Sequence, residues 1–469
     1  MNKSFAAMSN KASLDLSALS GLELEAFYLG LNATVWGYPV VKFEQLMRGR
    51  TLVDAALTNG NPRAQVNGMA LVRHLRGPEY RQIATPNNDT LYAQSFIDVS
   101  REPIVVSVPE VDVDRYYTMQ FWDPHGDTFA YIGSRTTGSK AGDYALVGPD
   151  WGGQLPDHIT AITCEYNNLA LWGRIGVQGP NDVKSANAIQ DQLHLTPLSQ
   201  FDQFKRSGCI APVDEQFSSQ RVRCNMPDDL DDGLEYYYQL ARALKYTPPK
   251  ACDAVVVASL EQIGFEDNNH VFAYKTLSEA QKSGLIKAYQ FAQKLMDASA
   301  STAGESVNGW RWSRKSGIMG TDYVFRAAWA KWYTGGATAD EAIYMDGRRD
   351  DLKELFNGSN QYHMHFSKDQ LPRVRAFWSI SLYDSETGAF VENSIKRYSI
   401  GDRTVGLTYN DDGSLDIYLQ QNEPDEAALA ANWLPTPTRG FYLNFRLFNP
   451  DDSLQNGTWQ PPLVQRIGS

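Results

Sequence analysis

The chain has 469 residues, is 42% hydrophobic and 21% charged, and is long enough to bury a large core and form two or three domains. Its 43 basic and 55 acidic residues leave a net charge of -12 with no Lys/Arg cluster, so no nucleic-acid or anionic-membrane partner is expected; small molecules, glycans and proteins remain. No stretch is apolar for long enough to be a transmembrane segment. The start, MNKSFAAMSNKASLDLSALSG, lacks the apolar core of a signal peptide, which predicts a cytoplasmic protein. Of the four cysteines, only Cys209 and Cys224 are placed to pair.

Ser20 and Glu23 read as a capping box that opens a helix carrying Leu22, Phe27 and Leu31 toward Pro39, within an N-terminal helical segment over 14–64. Over 65–180 the pattern becomes alternation broken by turns. In PNNDTLYAQSFIDVS, Leu91, Ala93, Ser95, Ile97 and Val99 share one face, and Tyr92, Gln94, Phe96 and Asp98 the other. Ile104, Val106 and Val108 share a strand face, as do Tyr117, Met119 and Phe121; GSRTTGSKAGD and GPDWGG reverse the chain. This predicts an antiparallel β-sandwich.

Helical spacing returns over 181–344, in LEYYYQLARALKY and after a capping box at Thr276 and Glu279, and predicts a helical linking region in which AGESVNG is a loop. From 345 to 469 alternation resumes. Val374, Ala376, Trp378, Ile380 and Leu382 oppose Arg375, Phe377, Ser379, Ser381 and Tyr383; TVGLTYNDDGSLDIYLQ reads as two strands about an Asp-Gly turn; Phe441, Leu443, Phe445 and Leu447 share a late strand. The expectation is a jelly-roll-like β-sandwich, and a fold that is mainly β with α. The segment 116–130 also echoes 377–391, matching Asp123 with Asp384. Either two hairpins each need an aspartate at the turn, or the two sandwiches are related.

Several ordered motifs carry a resemblance over nearly the whole chain. PNNDTLY, RYYTMQFWDPHGDTFAYIGSRTTG and YALVGPDWGG lie in the first half; GTDYVFRAAWA, LPRVRAFWSISLYD, RYSIGDRTVGL, DGSLDIYLQ and NWLPTP with GFYLNFRLF lie in the second. With these the chain resembles a family with paired domains of unknown function, 1254 in the N-terminal half and 1214 at the C-terminus. The resemblance implies a β-sandwich, a helical linker and a jelly-roll-like C-terminal domain. It also implies an exported location and supplies no catalytic residues.

Chemistry-bearing residues cluster in a few places. PNNDT closes an Asx-turn, and Asn87, Asn88, Asp89 and Thr90 offer oxygen ligands at a sheet end, where a divalent cation or a sugar hydroxyl can be held. FWDPHGD gathers Trp122, Asp123, His125 and Asp127 after the strand of Tyr117, two carboxylates and an imidazole suited to acid–base work or metal binding, or else a solvated hairpin tip. On a helix Asp322 and Arg326 stand four apart and read as an ion pair, with Tyr323 beside Arg326, unless Arg326 turns into a cleft to grip a carboxylate. Arg397 and Tyr398 raise the same question. His363 and His365 share a strand face and can ligate a metal, although no third His or Cys lies nearby. Trp122, Trp151, Trp310 and Trp312, beside turn residues, are the expected surface rings.

No G-x-S-x-G elbow, P-loop, G-x-G-x-x-G or H-E-x-x-H motif occurs. The leading expectation is a hydrolase-like enzyme acting on a small or glycan-like substrate where PNNDT, FWDPHGD and TDYVFR converge. Asp89, Asp123 or His125 would act as acid, base or ligand, and Arg326 as an anchor. A carbohydrate- or envelope-binding protein with aromatic platforms, and a homo-oligomeric assembly protein, are the alternatives.

Overall fold

The computed structural model describes residues 16–52, 62–81, 83–209 and 225–468. Helix α1 (Gly21–Thr51) opens where Ser20 accepts the Glu23 amide at 3.3 Å. The other half of the box is not made, because the Glu23 carboxylate turns to Ser283 and Lys287. Nor does the helix stop near Pro39. Val40, Val41, Phe43 and Met47 are buried beyond it, and that burial outweighs the one hydrogen bond a proline removes.

Strands β1 (Ala70–Leu71), β2 (Thr90–Asp98), β3 (Ile104–Val108), β4 (Tyr117–Trp122), β5 (Thr128–Gly133), β6 (Gly142–Val147), β7 (Thr160–Thr163) and β8 (Asn168–Gly176) follow. After them come α2 (Val183–Gln190), β9 (His194–Pro197) and α3 (Leu198–Ser207). One sheet has the order β1-β2-β8-β4-β5 and another β7-β6-β3-β9; pairing is antiparallel except between β6 and β7. Leu91, Ala93, Ile97 and Val99, Ile104, Val106 and Val108, and Tyr117, Met119 and Phe121 meet in one core shared by both sheets, on the faces that alternation predicts.

The middle of the chain supplies α4 (Asp232–Leu244), α5 (Ala254–Ser259), the hairpin of β10 (Phe265–Glu266) and β11 (Val271–Phe272), and α6 (Glu279–Thr302). Strands β12 (Glu305–Val307) and β13 (Trp310–Trp312) and helix α7 (Tyr323–Trp332) come next. Helices α1, α4, α6 and α7 pack around Trp36, Tyr237, Leu240, Leu285, Met296 and Ala327. The capping box of α6 is Ser278 with Gln281, two residues later than expected, since Thr276 is used in a 3-10 turn. AGESVNG is not wholly loop, because β12 within it forms a hairpin with β13.

The C-terminal strands are β14 (Ala342–Gly347), β15 (Gln361–Phe366), β16 (Val374–Asp384), β17 (Ser399–Gly401), β18 (Leu415–Gln420), β19 (Trp433–Pro435), β20 (Phe441–Pro450) and β21 (Val464–Gly468), with helix α8 (Ala427–Ala431) before β19. They form a six-stranded sheet, β12-β13-β14-β20-β16-β17, and a four-stranded one, β19-β18-β15-β21. Trp378, Ile380 and Leu382, Ile417 and Leu419, and Leu443, Phe445 and Leu447 share one core. Only the second arm of the Asp-Gly hairpin is a strand. In the first, the Asn410 side chain bonds Ser414 and Asp416 locally and takes the place of a ladder. Trp122, Trp310 and Trp312, expected at the surface, are 1%, 0% and 4% exposed, while Trp151 is half-buried.

The fold is thus mainly β with helices and several antiparallel sheets. Every residue of β20 is buried, because the outer face of its sheet lies against the N-terminal half. No described helix is long and apolar enough to cross a membrane. Cys209 is an exposed free thiol; Cys224 lies outside the described residues.

Candidate active site

After β4 the chain turns tightly. Asp123 Oδ1 accepts the His125 amide at 2.8 Å and the Asp127 amide at 3.1 Å, and Gly126 takes the positive φ of +89° that the turn needs. Asp384, its counterpart in the internal echo, likewise accepts the amides of Glu386 and Thr387. Unlike a solvated hairpin tip, however, the first turn is buried: Asp123 is 5% exposed and His125 0%.

Distant segments enclose it. The Thr128 amide donates to the Gly317 carbonyl at 2.7 Å, and the Met319 amide to Asp127 Oδ1 at 2.9 Å. Lys250 Nζ lies 3.2 Å from Asp127 and 3.5 Å from Asp123, and the Tyr166 ring stands 5.2 Å from that of His125. Among the described residues, neither His125 ring nitrogen has a hydrogen-bond partner. Burial, with Arg326 and Lys250, holds the imidazole pKa down at about 3, so the ring is neutral. Burial pushes the Asp123 carboxyl up to about 6, against the pull of Lys250.

Arg326, on α7, is fully buried and reaches the Gly320 and Trp36 carbonyls at 3.1 and 3.3 Å. It stacks 5.0 Å over the Tyr323 ring, as its spacing predicts. The expected ion pair with Asp322 is not formed. Asp322 is the N-cap of α7, where the backbone is not yet helical, and it accepts the Phe325 amide and binds Lys315 at 3.1 Å. Buried Asp253 accepts from the Tyr323 hydroxyl at 2.5 Å. Burial raises its carboxyl, but Tyr323 and Arg326 together hold it below the usual range.

PNNDT lies elsewhere. Asn87 Oδ1 accepts the Asp89 amide at 2.5 Å in an Asx-turn, and the loop seats on β16 and β20. Asp89 accepts from Ser379 Oγ at 2.7 Å and lies 3.5 Å from Arg403; Tyr383 and Arg446 donate to the Pro86 and Thr85 carbonyls at 2.6 and 3.1 Å. Among the described residues, Asn88 Oδ1 and Thr90 Oγ1 are buried without partners in this joint. Tyr117 is in the N-terminal core with its hydroxyl on the Gly138 carbonyl, and the Trp122 ring packs edge-on against Phe43 of α1. Arg397 donates to the Ala431 and Trp433 carbonyls at 3.0 and 2.7 Å, and Tyr398 to Glu392 at 3.3 Å, away from the His125 turn.

FWDPHGD and TDYVFR therefore converge, and PNNDT instead joins the two halves. Lys250, Asp253 and Tyr166 also belong to this site, and no local sequence pattern marks them. The one signal for the first two is a charged pair following Pro248 and Pro249, which carries no hint of its partner.

Residues 66–197 match the family described as "Protein of unknown function (DUF1254)", and residues 341–452 match "Protein of unknown function (DUF1214)". No curated protein matches the chain. Among solved structures it is similar to the VPA0106 protein from Vibrio parahaemolyticus, with 25% identity over 94% of this chain and 100% of that one and a TM-score of 0.68. It is also similar to an uncharacterized protein from Burkholderia cenocepacia, with 12% identity over 94% of each chain and a TM-score of 0.43. The chain belongs to the family that pairs an N-terminal domain of unknown function 1254 with a C-terminal domain of unknown function 1214.

Proposed function

We propose that the chain is an enzyme of hydrolytic type acting on a small polar substrate, with acid–base chemistry at the Asp123–His125 turn. One observation carries this reading: a carboxyl moved up to about 6 stands two residues from a buried imidazole that has, among the described residues, no partner on either nitrogen. A carboxyl that titrates near neutrality can both take and return a proton at physiological pH. In this reading Asp123 Oδ2 moves the proton and neutral His125 hydrogen-bonds the substrate. Lys250 and Arg326 stabilise developing negative charge. Asn87, Asn88, Asp89 and Thr90 join the halves and take no part in the chemistry.

The same reading takes 65–180 and 345–469 as two sandwiches, the second jelly-roll-like, each completed by strands from 181–344. Burial of Trp122, Trp310 and Trp312 removes the rings that an aromatic glycan platform would have used. The test is turnover of chromogenic carboxylic esters, amides and phosphate esters by wild type, Asp123→Asn and His125→Gln. Loss of turnover in both folded variants supports the assignment, and full turnover in both refutes it.

A further inference from the structure

We propose that His363, His365 and Asp416 form a binding site for a divalent transition-metal ion of the zinc type on the outer face of the C-terminal four-stranded sheet. The period of β15 buries Tyr362, Met364 and Phe366 and turns His363 and His365 to the opposite face. The third donor comes from the neighbouring strand. Antiparallel β18 places Asp416 directly across from His365, so the missing ligand is distant in sequence and adjacent in space.

The three side chains aim at one point. His363 Nε2 and His365 Nδ1 each lie 2.7 Å from the same oxygen, Asp416 Oδ1, and the three donor atoms fall within 4.8 Å of one another. Around a tetrahedral zinc ion with bonds of about 2.0 to 2.1 Å, donors stand roughly 3.3 Å apart. To admit the ion, each imidazole–carboxylate separation has to widen by about half an ångström, while the two ring nitrogens, within 4.8 Å of each other, draw in toward the same spacing. Two imidazoles and one carboxylate suit zinc, cobalt, nickel or copper; calcium and magnesium require more oxygen ligands.

The surroundings orient these donors as an outer shell does. Asn410 Nδ2 donates to Asp416 Oδ2 at 2.7 Å, fixing the carboxylate with Oδ1 toward the histidines, and the Tyr418 ring stacks 5.2 Å from the ring of His363. The His365 side chain is 48% exposed, which leaves a side open for water or another ligand. Three protein ligands and an accessible fourth position form the general pattern of a reactive or exchangeable zinc site.

The test is calorimetric titration of tag-free, chelator-treated full-length chain with zinc chloride, and with cobalt chloride followed by visible absorption. We expect one equivalent to bind, with a cobalt spectrum of low-symmetry nitrogen and oxygen ligation. Binding should be lost in His363→Ala and His365→Ala and weakened roughly tenfold in Asn410→Ala. Asp123→Asn should bind as wild type does, which separates this site from the proposed acid–base turn. His365→Gln, which keeps a polar side chain on the same exposed face, guards against misfolding and should also lose the ion. Absence of stoichiometric binding, or binding that persists in a folded His365→Gln chain, overturns the assignment.

Discussion

Replacing Asp123 by Asn should change how stability depends on pH, and the size of the change follows from the turn. Asn retains the oxygen that accepts the His125 and Asp127 amides and removes only the charge. The carboxyl pKa is 3.8 in the ordinary case and about 6 in the folded chain. Between these values the unfolded chain has released the proton and the folded chain still holds it. Stability from this group is therefore fully present below about pH 4 and lost as pH rises, at about 1.4 kcal/mol per pH unit, for about 3 kcal/mol in all.

His125 acts in the opposite sense. Its pKa falls from 6.5 to about 3, so its contribution is present above pH 6.5 and lost on acidification from there toward pH 3, a range that spans that of Asp123. The two slopes oppose each other in the wild type, and Asp123→Asn leaves that of His125 alone. Chemical unfolding from pH 4 to pH 7 should show the variant gaining about 3 kcal/mol on wild type as pH rises. His125→Gln should drift the other way. A difference between Asp123→Asn and wild type that is flat with pH would refute the reasoning.

Other substitutions test the fold. Asp89→Ala removes the carboxylate that accepts from Ser379 and faces half-buried Arg403 in the joint between the halves, and loss of these charge-assisted contacts should cost about 1 to 3 kcal/mol in thermal or chemical unfolding, since Arg403 keeps the Val177 carbonyl. A loss no larger than that of a surface substitution would contradict the joint. Gly284→Ala should destabilise by about 1 to 3 kcal/mol despite alanine's better helix propensity, because the added Cβ would stand 2.4 Å from the Glu23 carbonyl where α1 and α6 cross. Ser278→Ala should lower stability by about 1 kcal/mol, and Thr276→Ala by less, since Ser278 is the cap.

Much of the sheet structure was legible because alternation writes a strand's inner face directly into the sequence. Leu91, Ala93 and Ile97 lie where period two puts them, and so do Trp378, Ile380 and Leu382. Features decided by tertiary packing were not legible. Burial of Phe43 and Met47 carries α1 past Pro39, and turn residues beside Trp122 and Trp310 do not keep those rings in solvent. The site was legible in part. Asp123 and His125 stand out as a local cluster, and Arg326 as a charged residue at helical spacing. Lys250 meets Asp123 across 127 residues, and Asp416 meets His363 across 53, through contacts and strand register that no local pattern encodes.

The most direct measurement of the proposed chemistry is a pH–rate profile for whichever chromogenic ester, amide or phosphate ester the wild type turns over fastest. We expect a single ionisation near pH 6 in the profile of kcat/KM, absent from the residual rate of folded Asp123→Asn. A wild type that turns over none of these substrates, or an unchanged ionisation near pH 6 in Asp123→Asn, would contradict the assignment of acid–base chemistry to this turn.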